Sequence, residues 1–562
     1  MGKKTKRIFT PVNNVKEFLD VVRSHGDKTL YRWLENNQYV SNTYTEFHAK
    51  VIAIAKGYQK LGLSGKRIAV IGETSVEWVA SYLATLAVGG VVIPMDKELD
   101  VTAIEGFLET AEAEAIVYAK SFNQKLAPLA ENHPTIKKLI PMDTSVECTD
   151  KIVNLEALIG GGKDEEFTVA SRPTDELAVM LFTSGTTGTS KCVMLCERNV
   201  WSTVNAACAT DEFFHEDTIV SVLPLHHTYE LACMLAALTY GMTIGINDSL
   251  RHIMKNFAEF KPTGLVLVPL FVNTMYNRII EKAKKSGKYK KLKFAIKLSN
   301  FLRKFGIDLR RKLFGEVLGA FGGNITKIVS GGAPLNPEMM KAFESFGITI
   351  AEGYGITECS PLISVNPYYA LKSGSVGPAV PSCTVRIDVR GKNDKGFDEG
   401  EIQVKGDNVM LGYYKNDEEN AKAFTEDGWY RTGDIGYMDA DGYIFITGRL
   451  KSVIVLENGK NVFPEEIEEY LEKIDDIAEV VVVGRKAEDG ETVKLTAIVY
   501  PNTDKYGEAP NVDTKAAYDT IYAKIGDLNR RLPSFKQVRD LEIRTEPFEK
   551  TTSRKIKRHL VK

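Results

Sequence analysis

Residues 183–191 read TSGTTGTSK, a run of hydroxyls and glycines closed by Lys191. Small residues leave backbone N–H groups and hydroxyl donors uncovered, and one mobile ammonium follows them, so the run suits a polyphosphate and hence a nucleotide. A Walker A loop requires G-x-x-x-x-G-K-[ST], whereas here Ser190 precedes Lys191 and Cys192 follows it, which disfavours an ordinary P-loop NTPase. A flexible Ser/Thr/Gly loop is the plainer alternative. Its flanks oppose that alternative: Leu177–Phe182 reads as a buried strand and Val193–Leu195 returns to apolar character, so core segments hold both ends.

Four further segments fit one chemistry. SGGAPL at 330–335 follows a strand-like run, and its glycines let a flat ring approach the backbone. GYGITE at 353–358 brings an aromatic face at Tyr354, a hydroxyl at Thr357 and a carboxylate at Glu358 together, suited to stacking, phosphate and Mg²⁺ respectively. In YRTGD at 430–434, Asp434 is a candidate acceptor for ribose hydroxyls. TTSRKIKR at 551–558 puts Lys555 on a basic tail. Each segment has a dull explanation as a turn, a loop or a solvated tail; their order and combination do not.

Elements able to position these residues are visible as alternation. Strand-like runs at Arg67–Ile71, Gly90–Pro94, Ala115–Tyr118, Leu265–Val268 and Ile325–Val329 are separated by helical stretches such as Ser75–Val88, the pattern of covered, largely parallel sheets. From Val376 short runs and DEG or NDKG turns suggest a β-rich subdomain. After Arg449 the chain predicts a compact C-terminal unit: Pro464 with Glu465 and Glu466 starts a helix, and Val480–Val483 and Val493–Val499 flank an EDGE turn. The expected fold is α/β: a large N-terminal domain of parallel-rich sheets with flanking helices (1–449), carrying a β-rich subdomain, and a small α+β domain (450–562).

With 562 residues and 72 Lys plus Arg against 74 acids, the chain is multidomain and not a globally basic nucleic-acid binder. Seven scattered cysteines without a C-x-x-C pair suggest a reducing compartment. The MGKKTKRIF start lacks a signal-peptide apolar region, and no run reaches membrane-span length, so a soluble, cytoplasmic protein is expected. One segment is locally different: residues 281–315 carry thirteen Lys or Arg against two acids, interleaved with Leu, Ile and Phe. Peripheral contact with an anionic membrane surface and a helix pair packed on the body by its apolar residues both fit this mixture.

Taken together, the chain resembles the adenylate-forming superfamily of acyl-CoA synthetases, luciferases and peptide-synthetase adenylation domains over essentially its full length. The resemblance implies a phosphate loop of Thr183, Ser184, Gly185, Thr186, Thr187 and Lys191, and an adenine segment of Gly331, Gly332, Ala333 and Pro334. It implies nucleotide contacts from Gly353, Tyr354 and Gly355, with Thr357 at the α-phosphate, Glu358 on Mg²⁺, and Asp434 and Arg449 on the ribose side. GRLKSVIV is similar to the hinge, at Lys451, and this likeness implies that the small α+β domain is mobile; GKNVFPEEIE is similar to the coenzyme A loop, at Gly459; and TTSRKIKR to the element with the catalytic Lys555. LPLHHTYE at 223–230, with His227 toward the acyl pocket, resembles the long-chain fatty acyl-CoA synthetase group. The implied partners are fatty acid, ATP, Mg²⁺ and coenzyme A. The alternatives are an acyl-AMP ligase loading an acyl-carrier protein, a ligase for another acid such as an aryl acid, and a catalytically silent scaffold. Cys192 stands where the family usually has Gly, and Cys196-Glu197-Arg198 replaces a common Thr/Ser-His-Arg run.

Overall fold

The computed structural model describes all residues except 1–8, 130–132, 184–189, 211, 250, 394, 457–460, 487–492, 551–555 and 562, and the side chains of Val455, Asn461 and His559. The larger of two compact units comprises Met1–Thr183, Ser190–Val385 and Val404–Tyr430 apart from those residues. Its main sheet runs in the order Gly412–Tyr413, Lys191–Cys196, Leu177–Thr183, Val91–Met95, Arg67–Ile71, Ala115–Tyr118, Lys138–Pro141. The last five of these strands are parallel to one another, while Lys191–Cys196 returns antiparallel to Leu177–Thr183 as a hairpin.

The parallel strands are covered on their faces, as their near-continuous apolar sequences require. Helix Val76–Ala87 is the clearest cover. Ser75 caps it by accepting the Trp78 N–H at 3.1 Å, and every residue except Glu77 is buried, which is what an apolar-all-round helix must do. A second sheet orders Gln38–Thr43, Thr29–Glu35, Thr243–Ile246 and Thr218–Ser221; a third orders Gly264–Leu267, Lys327–Ser330, Thr349–Gly355 and Leu362–Val365. The third is parallel apart from its last strand. The strand expected at Ile325–Val329 starts at Lys327, because the Thr326 N–H bonds Thr263 O at 2.9 Å ahead of the ladder.

The second unit gathers Arg386–Gln403 with Arg431–Lys562. The β-rich expectation corresponds to a four-stranded sheet of Cys383–Lys392, Asp398–Gly406, Tyr430–Met438 and Ile444–Arg449. The C-terminal hairpin is present as Ile477–Lys486 paired antiparallel with Val493–Pro501, and Asp540–Ile543 adds a parallel third strand. Helices Pro464–Leu471 and Thr514–Asn529 pack Ile467, Leu471, Ala517, Ile521 and Ile525 into its core. The architecture is α/β, as expected. Among the described residues no helix is long and apolar enough to cross a membrane.

Cys192 has a packing role. It is buried against a cluster that includes Ile71, Ile93 and Met180, its carbonyl accepts the Tyr414 N–H at 2.8 Å, and burial pushes its thiol up to about 12. A side chain here fills space that glycine would leave empty, and the thiol stays protonated and unreactive.

Candidate functional site

Lys191 opens the return strand of the hairpin and faces Thr183 across it. Ser184, Gly185, Thr186 and Thr187 lie outside the described residues. The Lys191 ammonium pairs with Glu419, on helix Asp417–Ala423, and sits 4.8 Å from the centroid of the Tyr413 ring. Tyr413 Oη donates to Glu358 Oε1 at 2.9 Å and lies 3.4 Å from Tyr430 Oη. Tyr413 therefore bridges the phosphate-loop lysine to the carboxylate of GYGITE. Burial, followed by the charge of Glu358, drives the Tyr413 phenol upward, and burial does the same to Tyr430, so both remain protonated donors. The hydrogen bond from Lys191 holds Glu419 below the usual carboxylate range.

Tyr413, Tyr430 and Glu419 were not legible as site residues. Tyr413 reaches the site because strand Gly412–Tyr413 pairs with Lys191–Cys196, far away in sequence, and no local pattern marks that pairing.

Glu358 is fixed by its backbone. Thr357–Cys359 form a single 3₁₀ turn after strand Thr349–Gly355, and Glu358 O accepts the Met410 N–H at 2.8 Å. A Cβ at Gly355 would lie 2.2 Å from Pro361 O, so this position requires glycine. Gly353 pairs with Val365, and Tyr354 pairs with Ser364 and is buried. Next to it, Gly332, Ala333 and Pro334 of SGGAPL are exposed after strand Lys327–Ser330, with Gly332 at a φ of +82°. Tyr229, which sequence reasoning quoted without a role, holds this turn: its hydroxyl donates to Val329 O at 3.2 Å, and a Cβ on Gly331 would come within 3.1 Å of its ring. These turns leave the carboxyl ends of parallel strands, the end of an α/β sheet where ligands bind.

His227 is the N-cap residue of helix Thr228–Tyr240, in extended conformation, and its ring packs on His226 with centroids 4.1 Å apart. His226 Nε2 lies 3.5 Å from Asp96 Oδ2, but burial, reinforced by His227, lowers its basicity well below the ordinary value. His226 is therefore neutral, and its approach to Asp96 is a polar contact rather than an ion pair.

One turn further, Glu230 is buried and accepts the Ser221 hydroxyl, stapling the helix start to the end of strand Thr218–Ser221. Burial pushes its carboxyl up to about 8. An acid raised from 4.5 in this way favours the folded state below the lower value, and that contribution is lost as pH rises toward 8. We predict that Glu230→Gln, which cannot ionise, gains stability relative to the parent between pH 5 and 9, by on the order of 3–5 kcal/mol. Urea midpoints of the two proteins across that range measure this, and parallel curves would contradict it.

In the second unit, Asp434 and Arg449 face each other across strands Tyr430–Met438 and Ile444–Arg449, with Arg449 Nε donating to Asp434 Oδ1 at 2.7 Å. Asp434 is buried, and Gly433 before it, at a φ of +71°, donates its N–H to Glu401 Oε1 at 3.1 Å. Lys451 is exposed in the 3₁₀ turn Leu450–Ser452. Gly459 and Lys555 lie outside the described residues. Around the latter, Lys550 bridges to Ile556, the Lys557 N–H bonds Glu549 O at 2.8 Å, and Arg558 pairs with the buried Glu468. Despite that pairing, burial dominates and brings the Glu468 carboxyl up to about 7.

Residues 18–414 match the AMP-binding enzyme family, and residues 451–562 match the AMP-binding enzyme C-terminal domain. The chain belongs to the AMP-binding enzyme family. This member is 30% identical over 481 residues to the long-chain-fatty-acid–CoA ligase FadD15 of Mycobacterium bovis, covering 82% of this chain and 78% of that one. It is 29% identical to the peroxisomal long chain acyl-CoA synthetase 7 of Arabidopsis thaliana over 569 residues, 94% of this chain and 79% of that one. Its fold matches ATP-bound MatB from Rhodopseudomonas palustris with a TM-score of 0.73, at 24% identity, over 97% and 98% of the two chains.

Proposed function

We propose that this AMP-binding enzyme activates a long-chain fatty acid with ATP and transfers the acyl group to coenzyme A. The observation that carries the reading is the connected set Lys191, Tyr413 and Glu358, which joins the cation that closes TSGTTGTSK to the carboxylate of GYGITE. The relatives named as long-chain ligases support the substrate class.

In the first half-reaction a fatty carboxylate oxygen attacks the α-phosphorus of ATP, and the bond to the β-phosphate breaks to release pyrophosphate. Two anions approach, so the chain must neutralise charge and align the groups. Thr183, Ser184, Gly185, Thr186, Thr187 and Lys191 grip the outer phosphates, with Lys191 exchanging Glu419 for phosphate oxygens. Thr357 holds the α-phosphate. Gly331, Gly332, Ala333, Pro334, Gly353, Tyr354 and Gly355 frame the adenine, Asp434 and Arg449 the ribose, and His227 the acyl carboxylate. A lone carboxylate such as Glu358 suits Mg²⁺, which takes one or two carboxylates with phosphate oxygens completing its shell. When bound, Mg²⁺ spreads the phosphate charge. Lys555 supplies positive charge at the reacting centre.

In the second half-reaction the thiol of coenzyme A attacks the acyl carbonyl and AMP leaves. Gly459 lines the channel for it, and the domain boundary at 449 and 450, with Lys451 as hinge, lets the small domain turn between steps. The start of the second family match at residue 451 supports this boundary. Seven scattered cysteines without a C-x-x-C pair support a cytoplasmic setting.

AMP release measured across fatty acids from hexanoate to stearate and aryl acids such as benzoate, with and without coenzyme A, tests the proposal. It predicts the highest release with long-chain acids and a requirement for coenzyme A in sustained turnover. Preference for benzoate would favour an aryl-acid ligase. Stimulation by an acyl-carrier protein in place of coenzyme A would favour the carrier-loading alternative.

A further inference from the structure

The helix Tyr289–Arg303 has two opposite faces. On one, Ser299 is buried, Asn300 Nδ2 donates to Ser345 Oγ at 3.0 Å and Arg303 pairs with Glu344 at 2.6 Å, which fastens the helix to Pro337–Phe346. Phe294, Leu298 and Phe301 fall at i, i+4 and i+7 on the other face, and Phe305 continues their line in the following turn. Their exposures are 67%, 37%, 56% and 68%, and Phe301 and Phe305 pack edge to face with centroids 5.2 Å apart. The helix thus turns half-buried Leu292 and Ile296, with Ser299, Asn300 and Arg303, toward the body and still presents Phe294, Leu298 and Phe301 outward, a second apolar stripe that the core does not use.

Cations border the stripe. Lys290, Lys297 and Lys304 recur every seven residues along one edge and Lys291 lies on the other; all four are exposed, and among the described residues none has a carboxylate within ion-pairing distance. Nearby Lys288, Arg303 and Arg310, by contrast, are engaged by Glu316, Glu344 and Asp308. On the preceding helix, Arg278, Lys282 and Lys285 line an open cleft of about 440 Å³ opposed only by Glu281.

We propose that this helix docks on an anionic lipid surface. Phe294, Leu298, Phe301 and Phe305 enter the boundary between headgroups and acyl chains, and Lys290, Lys291, Lys297 and Lys304 meet the lipid phosphates. A narrow apolar stripe edged by long cationic side chains is the geometry an interfacial helix needs, because lysine stems reach back to the headgroups while the rings go deeper. The local charge of thirteen cations against two acids in 281–315 selects an anionic surface, although the whole chain is near neutral. Nucleic acid would use the lysines and leave four exposed apolar side chains unexplained. The proposal goes beyond the catalytic reading, since binding is measured without substrates.

The test is cosedimentation of the full-length protein with vesicles of phosphatidylcholine containing phosphatidylglycerol, and with phosphatidylcholine alone. Binding is expected only to the anionic vesicles and is weakened by salt. The triple variant F294S/F301S/F305S and the quadruple variant K290A/K291A/K297A/K304A should each lower vesicle partitioning by at least about tenfold while unfolding at the parent's temperature. Equal binding to both vesicle types, parental binding by either variant, or displacement from vesicles by RNA that still binds the serine variant would overturn the proposal.

Discussion

Lys555→Ala is expected to lower fatty-acid-dependent formation of acyl-adenylate by on the order of a hundredfold or more, equivalent to about 2.7 kcal/mol of transition-state stabilisation. Thioester formation from supplied acyl-AMP and coenzyme A should stay within about twofold of the parent. The asymmetry follows from chemistry. In the first half a carboxylate must approach a triphosphate, and a cation at the reacting centre offsets that repulsion. In the second half the nucleophile is a thiol and the acyl-adenylate carries a single phosphate charge instead of a triphosphate's several, so far less repulsion opposes the approach and the same cation contributes less. Single-turnover measurements of the two halves separate these outcomes. Equal losses in both would remove Lys555 from the role given to it.

The second large effect is expected at Glu358. Glu358→Gln retains an oxygen that can accept the Tyr413 hydroxyl at the position where Glu358 Oε1 now accepts it at 2.9 Å, but it removes the negative charge. Acyl-adenylate formation is predicted to fall by about a hundredfold, with a higher Mg²⁺ concentration needed for half-maximal rate. Tyr413→Phe, which keeps the charge and deletes the hydrogen bond, should cost only about tenfold. If the Gln variant keeps near-parental rates and Mg²⁺ dependence while the Phe variant loses more, Glu358 acts by positioning Tyr413 rather than through its charge.

Much of the scaffold was legible because it rests on local chemistry. The runs Arg67–Ile71 and Ala115–Tyr118 are strands with those bounds, since short β-branched and apolar runs buried on both faces leave few other options. Ser75 and the apolar sequence after it predicted the helix that begins at Val76. Pro464 with two following glutamates marked a helix start that the structure places at Pro464. What stayed hidden depends on pairing between distant segments. Nothing near Tyr413 says that its strand lies beside Lys191, and nothing near Tyr229 says that its ring limits Gly331. The ionisation of Glu230 was hidden for the same reason: its carboxyl is raised by burial among residues from several elements rather than by its neighbours in sequence. Residues 281–315 show the opposite case, in which composition was visible but direction was not. Basic and apolar residues in one helix fit either packing inward or facing outward, and the bonds of Asn300 and Arg303 to the body decide which face turns out.

The most direct test of the account is isotope exchange between pyrophosphate and ATP with a long-chain fatty acid present and coenzyme A omitted. Reversible acyl-adenylate formation predicts exchange that depends on the fatty acid and stops without it. Absence of exchange, or conversion of ATP to ADP and phosphate under the same conditions, would contradict the assignment of this chain as an acyl-adenylating enzyme.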